Sequence, residues 1–169
     1  KNFKKTIGDV CMKRTYVSQQ ALLDATQPKG RRYYWKTEYL PSIEPALITK
    51  YIEQAARIRS PHGAVILFQM EGALNQLDDG HSAVGNRDAH YALNVAAAWD
   101  DPAEDAANID WARSAWNDLK SFSTGGTYLN FLTEDEGPER TAAGLGSGVT
   151  RLPEVKERWD PGNTFRTKR

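Results

Sequence analysis

Polar and apolar positions alternate over residues 31–40 (RRYYWKTEYL): Tyr33, Trp35 and Thr37 fall on one side, and Tyr34, Lys36 and Glu38 on the other. That period of two predicts a strand. Ile43, Leu47, Tyr51, Ala55 and Ile58 then recur every three or four residues, with Pro45 in the first turn. They predict an amphipathic helix that ends near Ser60-Pro61. Residues 64–71 (AVILFQME) and 89–99 (AHYALNVAAAW) read as buried strands, and the polar loop around 77–85 between them suggests an antiparallel pair. On the second, Tyr91, Leu93, Val95, Ala97 and Trp99 share the face expected to carry helices. The opposite face holds His90, Ala92, Asn94, Ala96 and Ala98, small side chains that leave room for a ligand or a further layer.

The acidic run from Asp100 to Asp110 holds five acids and no base. With Pro102 it suits the start of a helix, where negative charge is favoured, and Ile109, Ala112, Trp116, Leu119 and Phe122 continue that helix. Residues 127–132 (TYLNFL) are expected to be a short strand or extended, and 134–148 a flexible loop. Within that loop Gly144-Leu145-Gly146-Ser147-Gly148 looks like a phosphate loop but lacks its lysine, so a mobile loop is the expectation. Residues 151–159 predict a last helix with Leu152, Val155 and Trp159 inward, stopped at Asp160-Pro161-Gly162-Asn163, where Gly162 is expected to take positive φ. These elements make one α+β domain over residues 1–169.

Composition narrows the classes of function. The 169 residues are 40% hydrophobic, with 5 Trp, 7 Tyr and 5 Phe, enough for a packed core. Twenty-two basic residues balance 22 acidic ones, so no net field favours a nucleic acid or an anionic membrane as partner. The basic first 14 residues are expected to be a solvated end, and a start at Lys1 is expected of a fragment. Cys11 is the single cysteine, and His62, His81 and His90 have no metal-ligand spacing, so neither a disulfide nor a metal site is expected. No targeting or membrane segment is read, and the cytoplasm is the favoured compartment. His90 and Asn94 share a strand face that Gln69 or Glu71 could meet from the neighbouring strand; a polar cluster on a solvated face has the same pattern.

Function enters through resemblance. Tyr128-Leu129-Asn130-Phe131, the run Arg151-Leu152-Pro153-Glu154-Val155-Lys156 and the turn Asp160-Pro161-Gly162-Asn163-Thr164-Phe165 stand in order. Upstream are Arg32 to Lys36, Gly72-Ala73, Asn86-Arg87-Asp88-Ala89 and Trp99-Asp100-Asp101. Together these blocks resemble the berberine bridge enzyme family of FAD-dependent oxidases over about residues 30–169.

The resemblance implies an antiparallel sheet with helices on one face and the other face towards flavin and substrate. It also implies an N-terminal FAD-binding domain, outside this sequence, to which residues 127–169 return. A small organic substrate would pass hydride to the flavin, with O₂ as acceptor. By the same resemblance Tyr128, Asn130 and Asn163 serve the cofactor, and Asn94, His90 and Gln69 the substrate. The sequence departs from the pattern at Phe131, where many members place a basic tyrosine, and at Asn94, where relatives have Gln, Glu or another polar group. His90, Glu71 and Tyr128 remain as candidates for the proton acceptor, and Cys11 is not the flavin-attaching cysteine. The rival expectation is a stand-alone α+β binding or assembly module that has lost flavin chemistry. Homodimerisation through the exposed sheet face is compatible with either.

Overall fold

The computed structural model describes residues 12–166. Cys11 and most of the basic N-terminal run lie outside the described residues. The chain divides into two compact units between Arg31 and Arg32. In the first, a short helix α1 (Tyr16–Gln20) starts at Thr15, whose hydroxyl accepts the Ser18 N–H at 3.2 Å. A 3-10 helix (Ala21–Thr26) follows directly, and neither segment buries a residue.

The second unit is built on three antiparallel strands, β1 (Arg32–Leu40), β2 (Ala64–Gln69) and β3 (Tyr91–Trp99), in the order β1-β3-β2. The period-two segments therefore form strands, and β3 lies in the centre because it is apolar on one face and small on the other. In register, Thr37 of β1 and Ile66 of β2 both pair with Asn94.

Helices α2 (Pro45–Ala55) and α3 (Asp105–Leu119) lie on the expected face. Leu93, Val95, Ala97 and Trp99 meet Leu47, Trp111, Ala112, Ala115 and Leu119 there in the main core. Pro45 at the first position of α2 loses no hydrogen bond. Asp101 accepts the Ala103 N–H at 2.9 Å before α3, so part of the acidic run is a cap. Ile43, expected in the helix stripe, precedes α2 and is exposed.

Four expectations fail in the C-terminal third. Residues 127–132 do not form a strand: Leu129–Phe131 is a 3-10 turn. The edge of β1 is satisfied only briefly by backbone, through Tyr39 N–H to Gly126 O at 3.0 Å and Thr124 N–H to Tyr39 O at 2.9 Å. Beyond that, side chains of Thr127 and Arg140 donate to Thr37 O, and no ladder is needed.

The expected mobile loop contains a helix, α4 (Pro138–Leu145), followed by a 3-10 turn (Gly146–Val149). Gly144 lies where a β-carbon would stand 2.6 Å from Leu129 Cδ2 and 3.0 Å from Thr127 O, so the glycine allows close packing rather than flexibility. Asn86, at φ 59°, closes the far end of α4 by donating to Ala143 O at 2.9 Å.

Helix α5 (Arg151–Trp159) forms as expected, but buries no residue: Val155 and Trp159 face outward, Trp159 being 75% exposed. In the turn that follows, Asn163 and not Gly162 takes positive φ, 49°. Asn163 N–H bonds Asp160 O at 2.9 Å, and Asp160 carboxylate accepts Thr164 N–H at 2.7 Å and Phe165 N–H at 3.0 Å. These bonds complete the turn one residue later than expected, and asparagine tolerates the left-handed region.

Candidate functional site

The face of the sheet away from α2 and α3 carries Tyr33, Trp35, Thr37 and Tyr39 from β1, Ala92, Asn94, Ala96 and Ala98 from β3, and Ala64, Ile66 and Phe68 from β2. Phe131 lies across it. Its ring centroid is 6.3 Å from that of Trp35 and 6.1 Å from that of Phe68, with Tyr128 edge-on at 5.1 Å. Trp35 pairs with Ala96 and Phe68 with Ala92, so the line joining the two outer rings crosses β3 at Asn94. Phe131 thus stands over Asn94, which is 7% exposed.

Beneath this aromatic cover two polar atoms are buried without a partner, the Asn94 Oδ1 acceptor and the Trp35 Nε1–H donor. Native interiors satisfy nearly all such groups, because an unmet one keeps its desolvation cost. Thr37, between them on the same face, is satisfied: its hydroxyl donates to Leu93 O at 2.7 Å. Burial, with a smaller contribution from Tyr128, pushes the Tyr39 phenol up to about 12.

Past Phe131 the chain crosses the β1 edge to the helix side and enters an ionic cluster. Lys36 Nζ reaches Thr133 Oγ1 and Asp135 Oδ1, both at 3.1 Å, and Glu136 Oε1 at 3.4 Å. Arg140 pairs with Glu136 and with Glu38, each at 2.9 Å. Glu38 also accepts Trp116 Nε1–H at 2.7 Å and the Ser123 hydroxyl. Asp135 accepts from Tyr34 at 2.7 Å and Arg113 at 2.9 Å. Burial alone would raise the Asp135 carboxyl, but hydrogen bonds from Thr133, Tyr34, Arg113 and Lys36 outweigh it and hold the group well below the usual carboxylate range.

The residues singled out by sequence divide accordingly. Asn94 and Phe131 come together on the open face, and Tyr128 joins them, its hydroxyl accepting Asn130 Nδ2–H at 2.8 Å. His90 precedes β3 and is exposed; its N–H bonds Leu40 O at 3.0 Å. Gln69 pairs with Tyr91 and so belongs to the other face from Asn94; Ile66 and Phe68 are the β2 residues beside it. Glu71 lies beyond β2 and is exposed, and Asn163 sits in the turn after α5. The block 86–89 organises the long β2–β3 connection: buried Arg87 donates to Leu74 O at 2.9 Å and Ser82 Oγ at 2.8 Å, and Asn75 donates to Arg87 O and Ala89 O at 2.7 Å. Sequence reading missed Trp35 as a site residue, although its parity with Thr37 places it beside Asn94.

Residues 127–169 match the family described as berberine and berberine-like. This C-terminal segment is thus similar to that family. The chain is 31% identical over 124 residues to the aclacinomycin-N/aclacinomycin-A oxidase of Streptomyces galilaeus, a match covering 62% of this chain and 22% of the relative. Among solved structures it is similar to CrmK, a flavoenzyme involved in shunt product recycling in caerulomycin biosynthesis, at 27% identity and a TM-score of 0.68, covering 83% of this chain and 32% of that one. The berberine bridge enzyme of Eschscholzia californica shares the fold, with a TM-score of 0.72 at 16% identity over 81% of this chain and 32% of that one. The chain thus spans about a fifth of the curated relative and a third of these structures. Among the described residues no helix is long and apolar enough to cross a membrane.

Proposed function

We propose that the chain is the substrate-facing and C-terminal part of an FAD-dependent oxidoreductase that oxidises a small organic molecule by hydride transfer to flavin, with O₂ as the final acceptor. The observation that carries this reading is the helix-free sheet face, where Asn94 Oδ1 and Trp35 Nε1 are buried without partners under Phe131. A planar, hydrogen-bonding group fits such a face. Bound FAD supplies the two-electron acceptor. Tyr128 and Asn130, joined by their hydrogen bond at the margin of this face, would hold the cofactor side. Asn163 would buttress it from the turn that Asp160 fixes.

Asn94 orients substrate and exchanges no proton near neutrality, and Phe131 excludes water but cannot take a proton. The proton released with hydride therefore needs Tyr128, His90, Glu71 or a group outside this sequence. The partner in this reading is an N-terminal FAD-binding domain of the same protein. The outward Val155, Trp159 and Phe165 support it, being large apolar side chains that want cover.

The lack of a titratable group at Asn94 and Phe131 favours a second reading, a binding module without redox chemistry. An absorption spectrum of the full-length protein decides between them. A flavin band that bleaches under anaerobic substrate is expected, and a folded, colourless protein that gains no flavin from added FAD would overturn the proposal.

A further inference from the structure

Resting on that reading, we infer that Trp35 and Asn94 form a donor–acceptor pair that selects substrates carrying a hydroxyl group on a flat aromatic frame. Trp35 Nε1–H can only donate, and Asn94 Oδ1 can only accept. Both atoms are buried and unpartnered, while every other polar group named on this face has its bond or reaches solvent. The two residues are diagonal neighbours, since Thr37 pairs with Asn94 and Trp35 with Ala96, and diagonal positions lie within reach of long side chains. A hydroxyl is the smallest group that meets both demands, accepting from the indole through its oxygen and donating its proton to the amide.

The surroundings select the frame. Trp35, Phe68, Phe131 and Tyr128 present ring faces and edges, and Ala92, Ala96 and Ala98 leave a shallow floor between the strands. A ligand that displaces the Phe131 ring takes its place against Trp35, so its hydroxyl meets the two atoms that Phe131 covers but cannot satisfy.

The test is calorimetric binding of three probes to the full-length protein: 2-naphthol, its methyl ether 2-methoxynaphthalene, and naphthalene. The ether keeps the acceptor and loses the donor; naphthalene has neither. At roughly tenfold per hydrogen bond, 2-naphthol should bind about tenfold tighter than the ether and about a hundredfold tighter than naphthalene. Trp35→Phe should abolish the step between ether and naphthalene and keep the step between naphthol and ether. Asn94→Ala should do the reverse, and near-ultraviolet circular dichroism checks that each variant is folded.

Equal affinities for the three probes, or steps that neither variant changes, would overturn the pair and leave a buried water to serve the two atoms. The flavin spectrum of the same samples separates the two levels. A flavin-bearing protein with equal affinities loses the pair alone. A colourless protein with the predicted steps loses the redox function and keeps the pair.

Discussion

Along β1, consecutive side chains enter two different environments. Lys36 and Glu38 face the helices and are surrounded by Asp135, Glu136, Arg140 and Trp116, so that each buried charge meets an opposite charge or a hydrogen-bond donor. Trp35 faces the other way, and its indole N–H, like the Asn94 carbonyl across the strands, is buried with nothing to bond. One face is electrostatically complete and holds the C-terminal segment to the sheet. The other is chemically unfinished at these two atoms. Burial of polar groups is thus common to both faces, and it is their satisfaction that differs between the two.

The largest expected effect lies on the complete face. Arg140→Met removes a cation shared by Glu38 and Glu136 and should destabilise the protein by about 3–5 kcal/mol, read from urea unfolding. An effect below about 1 kcal/mol would mean that this face is less complete than its geometry indicates. Gly144→Ala attacks the packing that draws α4 onto Leu129 and should cost roughly 1–3 kcal/mol by the same measurement.

Asn94→Leu, on the unfinished face, should reverse the sign or come close to zero, within about 1 kcal/mol, because it deletes an acceptor that has no bond to lose. A loss as large as that of Arg140→Met would erase the contrast between the faces. Smaller again is the acid response. Asp135 is held below the ordinary carboxylate range in the fold, so its contribution is present above that range and is lost as pH falls through the lower, folded value. Urea midpoints measured from pH 6 to pH 2 should fall less steeply in Asp135→Asn. The least perturbing measurement is an absorbance titration, in which Tyr39→Phe should remove a phenol that ionises only near pH 12.

The strands were legible because their alternation is local: parity along 31–40 and 89–99 assigns the two faces without any knowledge of neighbours. Asn94 was found on the same ground. Gln69 was misplaced because parity within a strand does not give register between strands, and the observed pairing opposes it to Tyr91. Helix α4 was hidden by its glycines, which read as flexibility in isolation and act as contact points once Leu129 and Thr127 stand against them. The signal available was Gly137-Pro138-Glu139, a proline and an acid in a first helical turn. The ionic cluster had no local signature, since its members are scattered from Tyr34 to Arg140 and meet only when residues 133–140 cross the β1 edge.

The order β1-β3-β2 carries a consequence for synthesis. Neither outer strand touches the other, and both bond only to β3, the last of the three to leave the ribosome. When Leu40 and then Gln69 have emerged, each strand still waits for residues 91–99, with its backbone groups in water or available to other chains. Sheet formation in this unit is therefore a single late event, in which one nine-residue strand recruits two earlier ones, and a nascent chain arrested before Tyr91 has no sheet.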